Sequence, residues 1–387
     1  MPAPFNKVGI AYQQEVFASL ETTKGVLVYP QATDAVVVAG FGDMNQNPTY
    51  TDSEEVYDTR DLLNQFQDMT PAGTFSLPIY LRPSGTAGSA PMGDTLLTSL
   101  FGKKTVNAGA SVVYSQQLVK PSFSLWAQNS HTVFGAAGAV VDDCKFSFVN
   151  KGGVKLTLSG QFLQMYWAGT DAVNEASAAM GATSVPVYDA KKYTPGVKIY
   201  NVTKADNNGG AGYLVSAVNT TANTLTLGTG ILEAWSQDDV IAGYLPSPTL
   251  IGSPLENRKA VISILGAAKV LQQLDFDYAD KVKVLSDEMT GENYPIDYIE
   301  DMRALKGTFK CYFRQNDVDF FTNGQAGNTG PVSATIGATP GKTATLTMPQ
   351  CRFQVPKKSF SKPAILMSVD YTALGATGED SVSLSFT

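Results

Sequence analysis

Histidine is almost missing from this chain. One residue, His131, serves all 387 positions. A second histidine is needed for His-based metal clusters, and none exists, so chemistry of that kind is excluded. His131 lies in SHTVFG at a strand end and reads as a structural or surface residue. Cysteine is scarce too: Cys144, Cys311 and Cys351 show no CxxC spacing, and three is an odd number. Neither a zinc site, a redox pair nor a disulfide framework is expected, and a reduced, cytosolic site of synthesis fits. Charged residues make up only 16 % of the chain, with a net charge of −7. No Lys/Arg cluster exceeds short pairs such as Lys357-Lys358, so phosphate neutralisation is not a basis for nucleic-acid binding. No apolar run approaches the roughly 18 residues that a membrane helix needs. The N-terminus, MPAPFNKVGI, has no basic and then apolar region, so no signal peptide is expected.

Other chemical signatures are also missing. There is no GxxxxGK[ST] loop, and Gly135-Ala136-Ala137-Gly138 does not open a βαβ unit. Asp275, Asp277 and Asp280 lack the glycine and terminal glutamate of a calcium loop. Asp287-Glu288 and Asp142-Asp143 could be offered as glycosidase pairs, but read as turn acids and solvated faces. Trp126, Trp167 and Trp235 are spread over different units, which favours packing over a stacking platform. The chain is therefore not expected to be an enzyme, and no catalytic, cofactor-binding or metal-binding residue is assigned.

What is present is 43 % apolar residue and an abundance of Gly, Thr, Ser, Asn and Val. That composition predicts a β-rich, turn-rich protein of two or three domains. Two stretches look like copies. Val36–Leu81 and Lys281–Phe321 both begin with alternating valines (Val36, Val38; Val282, Val284). Both pass an Asp and a Met (Asp43-Met44; Asp287, Met289), and then an Asn near a Pro (Asn47-Pro48; Asn293, Pro295). Both reach an Asp-x-Arg triplet (Asp58 to Arg60; Asp301 to Arg303) and restart with Gly-Thr-Phe (Gly73; Gly307). Cys144-Lys145-Phe146 and Cys351-Arg352-Phe353 supply a further anchor. The shared order predicts an internal duplication. The second copy is shortened, with 44 positions from Gly307 to Cys351 against 71 from Gly73 to Cys144.

In chain order, Gln13–Leu20 predicts a turn or two of helix, and Val26–Tyr29 and Asp34–Val38 predict strands. Asp43–Ala72 has no period and carries the acidic stretch Asp52–Asp61. Loops of this length are usually functional or mobile, so it reads as a contact arm at a hairpin tip. Thr74–Leu81 alternates and predicts a strand. Asp94 is expected to cap the helix TLLTSLF, which Gly102 ends. Val112–Val119, Ser122–Ala127, Thr132–Val141, Lys145–Val149 and Val154–Phe162 predict further strands. Gly169–Met180 reads as a linker and Thr183–Tyr244 as a small β-barrel of about 60 residues, at the low end of independent domains. Leu245–Pro254 is a stiff connector. In the second copy, Asp317–Phe321 stands where the first has its helix, and Ala364–Val369 and Ser381–Phe386 close the chain as strands.

Across Phe17–Trp167 the order of features resembles the tail tube (major tail) proteins of long, flexible-tailed bacteriophages. These features are Glu21-Thr22-Thr23-Lys24-Gly25, the loop ending SEEVYDTRD, the run GTFSLPIYLRPSG, the helix DTLLTSLFG, and the strands KFSF and VKLTLSG. The second half, ending LMSVDYTALG and DSVSLSF, is similar to the C-terminal part of such a domain. The resemblance implies a mainly β fold: two tail-tube-type β-sandwich or barrel domains, each with a flanking helix or helical turn, plus the small inserted β-barrel. The expected division is a leader at 1–20, a first tube domain at 21–168, a linker at 169–182, the inserted barrel at 183–245, a linker at 246–258 and a second tube domain at 259–387.

Functionally it implies a virion protein whose sheets join into stacked rings, the conduit for DNA. The duplication favours homotrimeric rings of pseudo-sixfold symmetry over hexameric ones. Implied partners are further copies of the chain, a tape measure protein inside the tube, and terminator and distal tail proteins at its ends. Double-stranded DNA would pass without being gripped, past an acidic or neutral lumen, and no membrane is involved. Assembly would take place in the host cytoplasm. Candidate contact residues are Asn47, Pro48, Asp52, Glu54, Glu55, Asp58, Arg60 and Asp61 in the first arm. In the second they are Asn293, Pro295, Asp297, Glu300, Asp301 and Arg303, with Arg60 and Arg303 expected to pair with acids across subunits. Alternatives are a tail terminator or baseplate hub component, and, further off, a carbohydrate-binding β-protein.

Overall fold

A computed structural model describes all residues except 1–13, 41–42, 57, 59–60, 175–177, 290 and 362. The protein is mainly β, with 49 % strand and 9 % helix. The strands follow from alternation. In β6 (Gly73–Tyr80) the buried positions are Gly73, Phe75, Leu77 and Ile79, while Thr74 and Tyr80 face outward. One face packs into a core and the other stays polar, as expected where β-branched and aromatic residues alternate with Thr, Ser and Lys.

Several elements differ from the sequence reading. Gln13–Leu20 is not helical; β1 (Gln14–Leu20) is a strand. Its side chains split between two cores, Val16 and Ala18 entering one and Phe17 the other. That two-sided burial suits a period of two and no helical stripe. Within Asp34–Val38 only β2 (Ala35–Val36) is a strand, paired to β1. Val26–Tyr29 is not a strand. Its backbone is held by side chains instead, with Val28 N donating to Ser124 Oγ and Trp126 Nε1 donating to Val28 O, both at 2.8 Å.

β3 (Asp43–Asn45) pairs with β6, and between them β4 (Tyr50–Asp52) and β5 (Gln65–Gln67) form a separate ribbon. Helix α1 (Asp94–Phe101) buries Leu96, Leu97, Leu100 and Phe101. Asp94 does not cap it; Gly93 holds that position, and Asp94 accepts bonds from Lys104 Nζ and the Tyr114 hydroxyl, both at 2.6 Å. Gly102 ends the helix at φ 96°, where a side chain would be strained.

β7 (Gly102–Asn107) and β8 (Ser111–Gln116) form a hairpin, and β9 (Phe123–Asn129) pairs with β1 along its length. The two strands expected over Thr132–Val141 and Lys145–Val149 are one, the 18-residue β10 (Thr132–Val149). Irregularities between Ala136 and Ala139 and between Val141 and Asp143 let it change neighbours midway. Its first half pairs with β9 and β12 (Gln164–Ala168), its second with β11 (Lys155–Phe162).

β13 (Thr170–Ala172), β14 (Ser184–Pro186), β15 (Lys198–Asn201), β16 (Tyr213–Asn219), β17 (Thr224–Leu227) and β18 (Val240–Gly243) make a six-stranded sheet. The sheet begins inside the stretch read as a linker, because β13 pairs with β18. Its core holds Tyr213, Trp235 and Ile241 and also takes Phe17, Trp126 and Val133, so it sits on the face of β1 and β9 turned away from the main core.

The chain returns through β19 (Ala260–Ile264), β20 (Ala267–Lys269), β21 (Gln273–Ala279), β22 (Val282–Val284), β23 (Tyr298–Glu300) and β24 (Ala304–Tyr312). A 3-10 turn at Gln315–Val318 leads into α2 (Asp319–Ala326), so the second half does carry helix at the expected place. β25 (Thr329–Ile336), β26 (Ala344–Phe353), β27 (Lys357–Ser361), β28 (Ala364–Leu374) and β29 (Ser383–Phe386) complete it.

The halves are not separate bodies. β21 pairs with the second half of β10 from Asp143↔Ala279 to Val149↔Gln273, and β29 returns to pair with β8. One core spans both halves. The result is one antiparallel path, β3–β6–β11–β10–β21–β24–β28, with β28 continuing to β26 and β27.

This path repeats. β3–β6–β11–β10 in the first half matches β21–β24–β28–β26/β27 in the second, with α1 after β6 and α2 after β24. Gly73 lies opposite Phe162, and Gly307 opposite Tyr371. Not every sequence anchor survives. β2 pairs with β1 whereas β22 pairs with β23, so the valine runs are not equivalent. Nor are Cys144 and Cys351. Cys144 stands opposite Leu158, four positions before Phe162; four before Tyr371 is Met367, which stands opposite Lys358. The break between β26 and β27 displaced the sequence match.

Candidate functional site: two arms and two sheet edges

The first arm is the β4–β5 ribbon and its tip. Two three-residue strands are marginal alone, and side chains reinforce them: Gln65 Nε2 donates to Asp52 Oδ1 at 2.8 Å and Thr51 Oγ1 to Asp68 Oδ1 at 2.9 Å. Asn47, Pro48, Asp52, Glu54, Glu55, Asp58 and Asp61 are all exposed, and Arg60 lies outside the described residues. Apolar side chains share that exposure, Val56 at 97 %, with Tyr50, Leu62, Leu63 and Phe66 about half exposed.

The second arm, β22 and β23 with the segment between them, is better anchored. Val282 and Tyr298 pack with Val140 and Leu163. Lys24 Nζ reaches Asp297 at 2.6 Å and sits 3.9 Å above the Tyr298 ring. This gives a role to the Lys24 of the early ETTKG run. The lysine holds the Asp297 carboxyl below the ordinary carboxylate range. Pro295 is buried, Asn293 and Asp301 are exposed, and Met289 and Met302 are almost fully exposed. Thr70 N donates to Asn293 O at 2.9 Å, so the foot of the first arm meets the segment between β22 and β23. Sequence order alone did not bring them together.

Arg303, expected to pair with acids across subunits, is engaged within its own chain. Its Nε bonds Asp280 at 2.8 Å, and its other nitrogens reach Glu379 and Gln117 O. Asp280 also meets Lys120 at 3.2 Å; both side chains are buried, and Lys120 Nζ donates to Val141 O at 2.7 Å and Asp280 O at 3.0 Å. Burial pushes the Lys120 ammonium down in pKa, and Asp280 opposes that. Glu300 is likewise drawn inward, accepting from Lys120 N at 3.4 Å. Sequence reasoning missed Lys120, which stands in no motif, and weighed Asp280 only as an acid of a rejected calcium loop.

Glu21 opens the ETTKG run. Its carboxylate takes four donors, Gly25 N, Ser122 Oγ, Ser124 Oγ and Gly138 N, at 2.7–2.9 Å. It pins the β1 exit to β9 and to the midpoint of β10. His131 is exposed at the turn between β9 and β10, and all three cysteines are buried. Among the described residues, no cluster of three or more His, Cys, Asp or Glu is placed to hold a metal.

The path of strands also leaves two edges. Among the described residues β3 pairs only with β6, and β27 only with β28. Its polar face carries Lys145, Lys155, Lys306, Lys310 and Lys357 against Asp43, Asp275, Asp277 and Asp370, a near balance. Ser147 donates to Asp275 and Thr308 to Asp370, both at 2.7 Å. No protein-family model matches the chain, and comparison with curated protein sequences found no match.

Proposed function

We propose that this chain is a structural protein that assembles with copies of itself into stacked rings, forming a tail tube that conducts double-stranded DNA in a long-tailed bacteriophage. The observation that carries this reading is the β10–β21 junction. It joins two equivalent half-sheets side by side within one chain, and among the described residues the same kind of edge is left unpaired at each end, on β3 and β27. Open edges are normally paired or protected. A heterologous edge contact repeats around a ring when the rotation closes. With two half-sheets per chain, three copies would give a ring of six, and a homotrimer is favoured over a hexamer.

The polar face would line the channel. Its balance of Lys and Asp, with acids hydrogen-bonded to Ser and Thr, offers no continuous basic stripe to grip phosphates. The two arms, acidic and apolar together, would make contacts between neighbouring rings or subunits. The six-stranded sheet, on the far side of β1 and β9, would project outward. In the virion a tape measure protein would occupy the lumen, with terminator and distal tail proteins at the ends.

Negative-stain electron microscopy of concentrated, purified protein tests this. End-on rings with a central channel and three outer lobes are expected. A monodisperse monomer at all concentrations and ionic strengths, with or without a tail initiator, would count against the reading and favour a terminator or hub component.

A further inference from the structure

Phe360 stands out at the β27 edge. It is 80 % exposed on a regular strand. Its position in the repeat is defined by the ladder. Phe146 on β10 lies opposite Leu156 on β11, six positions before Phe162. Six before Tyr371 is Ile365, which lies opposite Phe360. Phe360 is thus the counterpart of Phe146, which is fully buried because β21 lies alongside and Phe276 packs on it with ring centroids 6.0 Å apart. In the second half nothing among the described residues plays the part of β21.

The same counting finds the missing neighbour. Leu274 on β21 lies opposite Phe309, two positions after Gly307; Met44 on β3 lies opposite Phe75, two after Gly73. β3 is therefore the counterpart of β21. Beside it opens a cavity of about 130 Å³, lined by Met44, Leu77, Leu125, Phe134 and Met165 among others. Gln14, Asp43 and Asn129 complete its wall, and in volume it is close to the void of about 150 Å³ that holds a benzene ring. Gln46 follows β3 at the position that Phe276 holds on β21; its amide is bonded to Pro71 O, Leu163 O and Met165 N, which leaves the aromatic ring to come from elsewhere.

We infer that Phe360 of one copy seats in the Met44–Met165 cavity of a second copy, with β27 adding antiparallel to β3 in the register that β10 uses for β21. The contact is head to tail. It places Ser359 opposite Asn47, as Lys145 is opposite Asp277. The inference deepens the tube reading and rests on it for ring closure, while the pairwise contact is testable alone.

Two single variants, Ser359→Cys and Asn47→Cys, are prepared separately and treated with a short thiol–thiol cross-linker. The native cysteines are buried and stay silent. A cross-linked dimer is expected when the two variants are mixed and not with either alone. Adding Phe360→Asp to the Ser359→Cys chain should reduce the dimer at least tenfold, while Phe360→Trp should retain it. Because Phe360 is exposed, neither change should lower the melting temperature of the unassembled chain. No dimer in the mixture, or a dimer indifferent to Phe360→Asp, overturns the contact. Rings seen by microscopy without this cross-link would leave the tube reading standing and remove the inference. A Phe360-dependent cross-link without rings would do the reverse.

Discussion

Gly307 lies directly across from Tyr371, and a Cβ on the glycine would fall 2.2 Å from the tyrosine ring. Gly73 and Phe162 repeat the arrangement, with a Cβ 2.1 Å from the phenyl ring. In each half an aromatic ring lies over a glycine, and the sheet needs both. Gly307→Ala should destabilise the protein by about 1–3 kcal/mol through overpacking. Adding Tyr371→Leu should cost less than the sum of the two single changes. Urea unfolding of the three variants checks this coupling.

The buried Lys120–Asp280 pair ties the strand path of the first half to the second. Asp280→Asn removes the carboxylate that Lys120 and Arg303 share, and a loss of about 3–5 kcal/mol is expected, as for breaking one side of a buried ion pair. Lys120→Met together with Asp280→Asn should cost less than the two changes summed, since no unpaired ammonium then remains. Denaturant midpoints with unchanged slope would show the effect to be one of stability alone.

Glu21 gathers four donors, two of them backbone N–H groups. Glu21→Ala is expected to cost about 2–3 kcal/mol, from the bonds of a charged acceptor. Amide exchange at Gly25 and Gly138 should rise in the variant more than exchange at β24. Uniform change across the chain would argue against a local role.

The Lys24–Asp297 pair predicts a pH dependence. Asp297 has a folded pKa below its ordinary value of 3.8, because Lys24 bonds the ionised form. Its contribution is therefore fully present above that value and is lost as pH falls through the folded pKa. The stability difference between the parent and Asp297→Asn should be steady from pH 7 to about 5 and should shrink below pH 4. A difference that grows on acidification would contradict the assignment. The pair is half exposed, so the effect should be small and weakened by salt.

The first arm should matter to assembly and little to folding. Replacing Val56, Leu62 and Phe66 by Ser removes exposed apolar surface, and each change should shift unfolding by no more than about 0.5 kcal/mol. Sedimentation of assembled material should fall in the same triple variant. Normal assembly would show that the arm is merely a solvated ribbon.

The mainly β character, the alternation that sorts each strand into a buried and a polar face, the Gly102 helix stop and the repeat carried by Gly-Thr-Phe are all legible in the residues themselves. These are local properties, set by a period of two and by the backbone freedom of glycine. Which strands lie side by side is set by long-range packing. Gln14–Leu20 became a strand because β9 lies along it and cores cover both its faces. β10 runs unbroken because bulges let it serve two pairs of neighbours. Arg303 turned inward because Asp280 and Glu379, far away in sequence, surround it. Phe146 and Phe360 sit in similar runs of sequence, yet one is buried and the other exposed. The difference is a neighbouring strand supplied in the first case by the same chain, and strand partners are chosen by packing across long separations that alternation alone does not record.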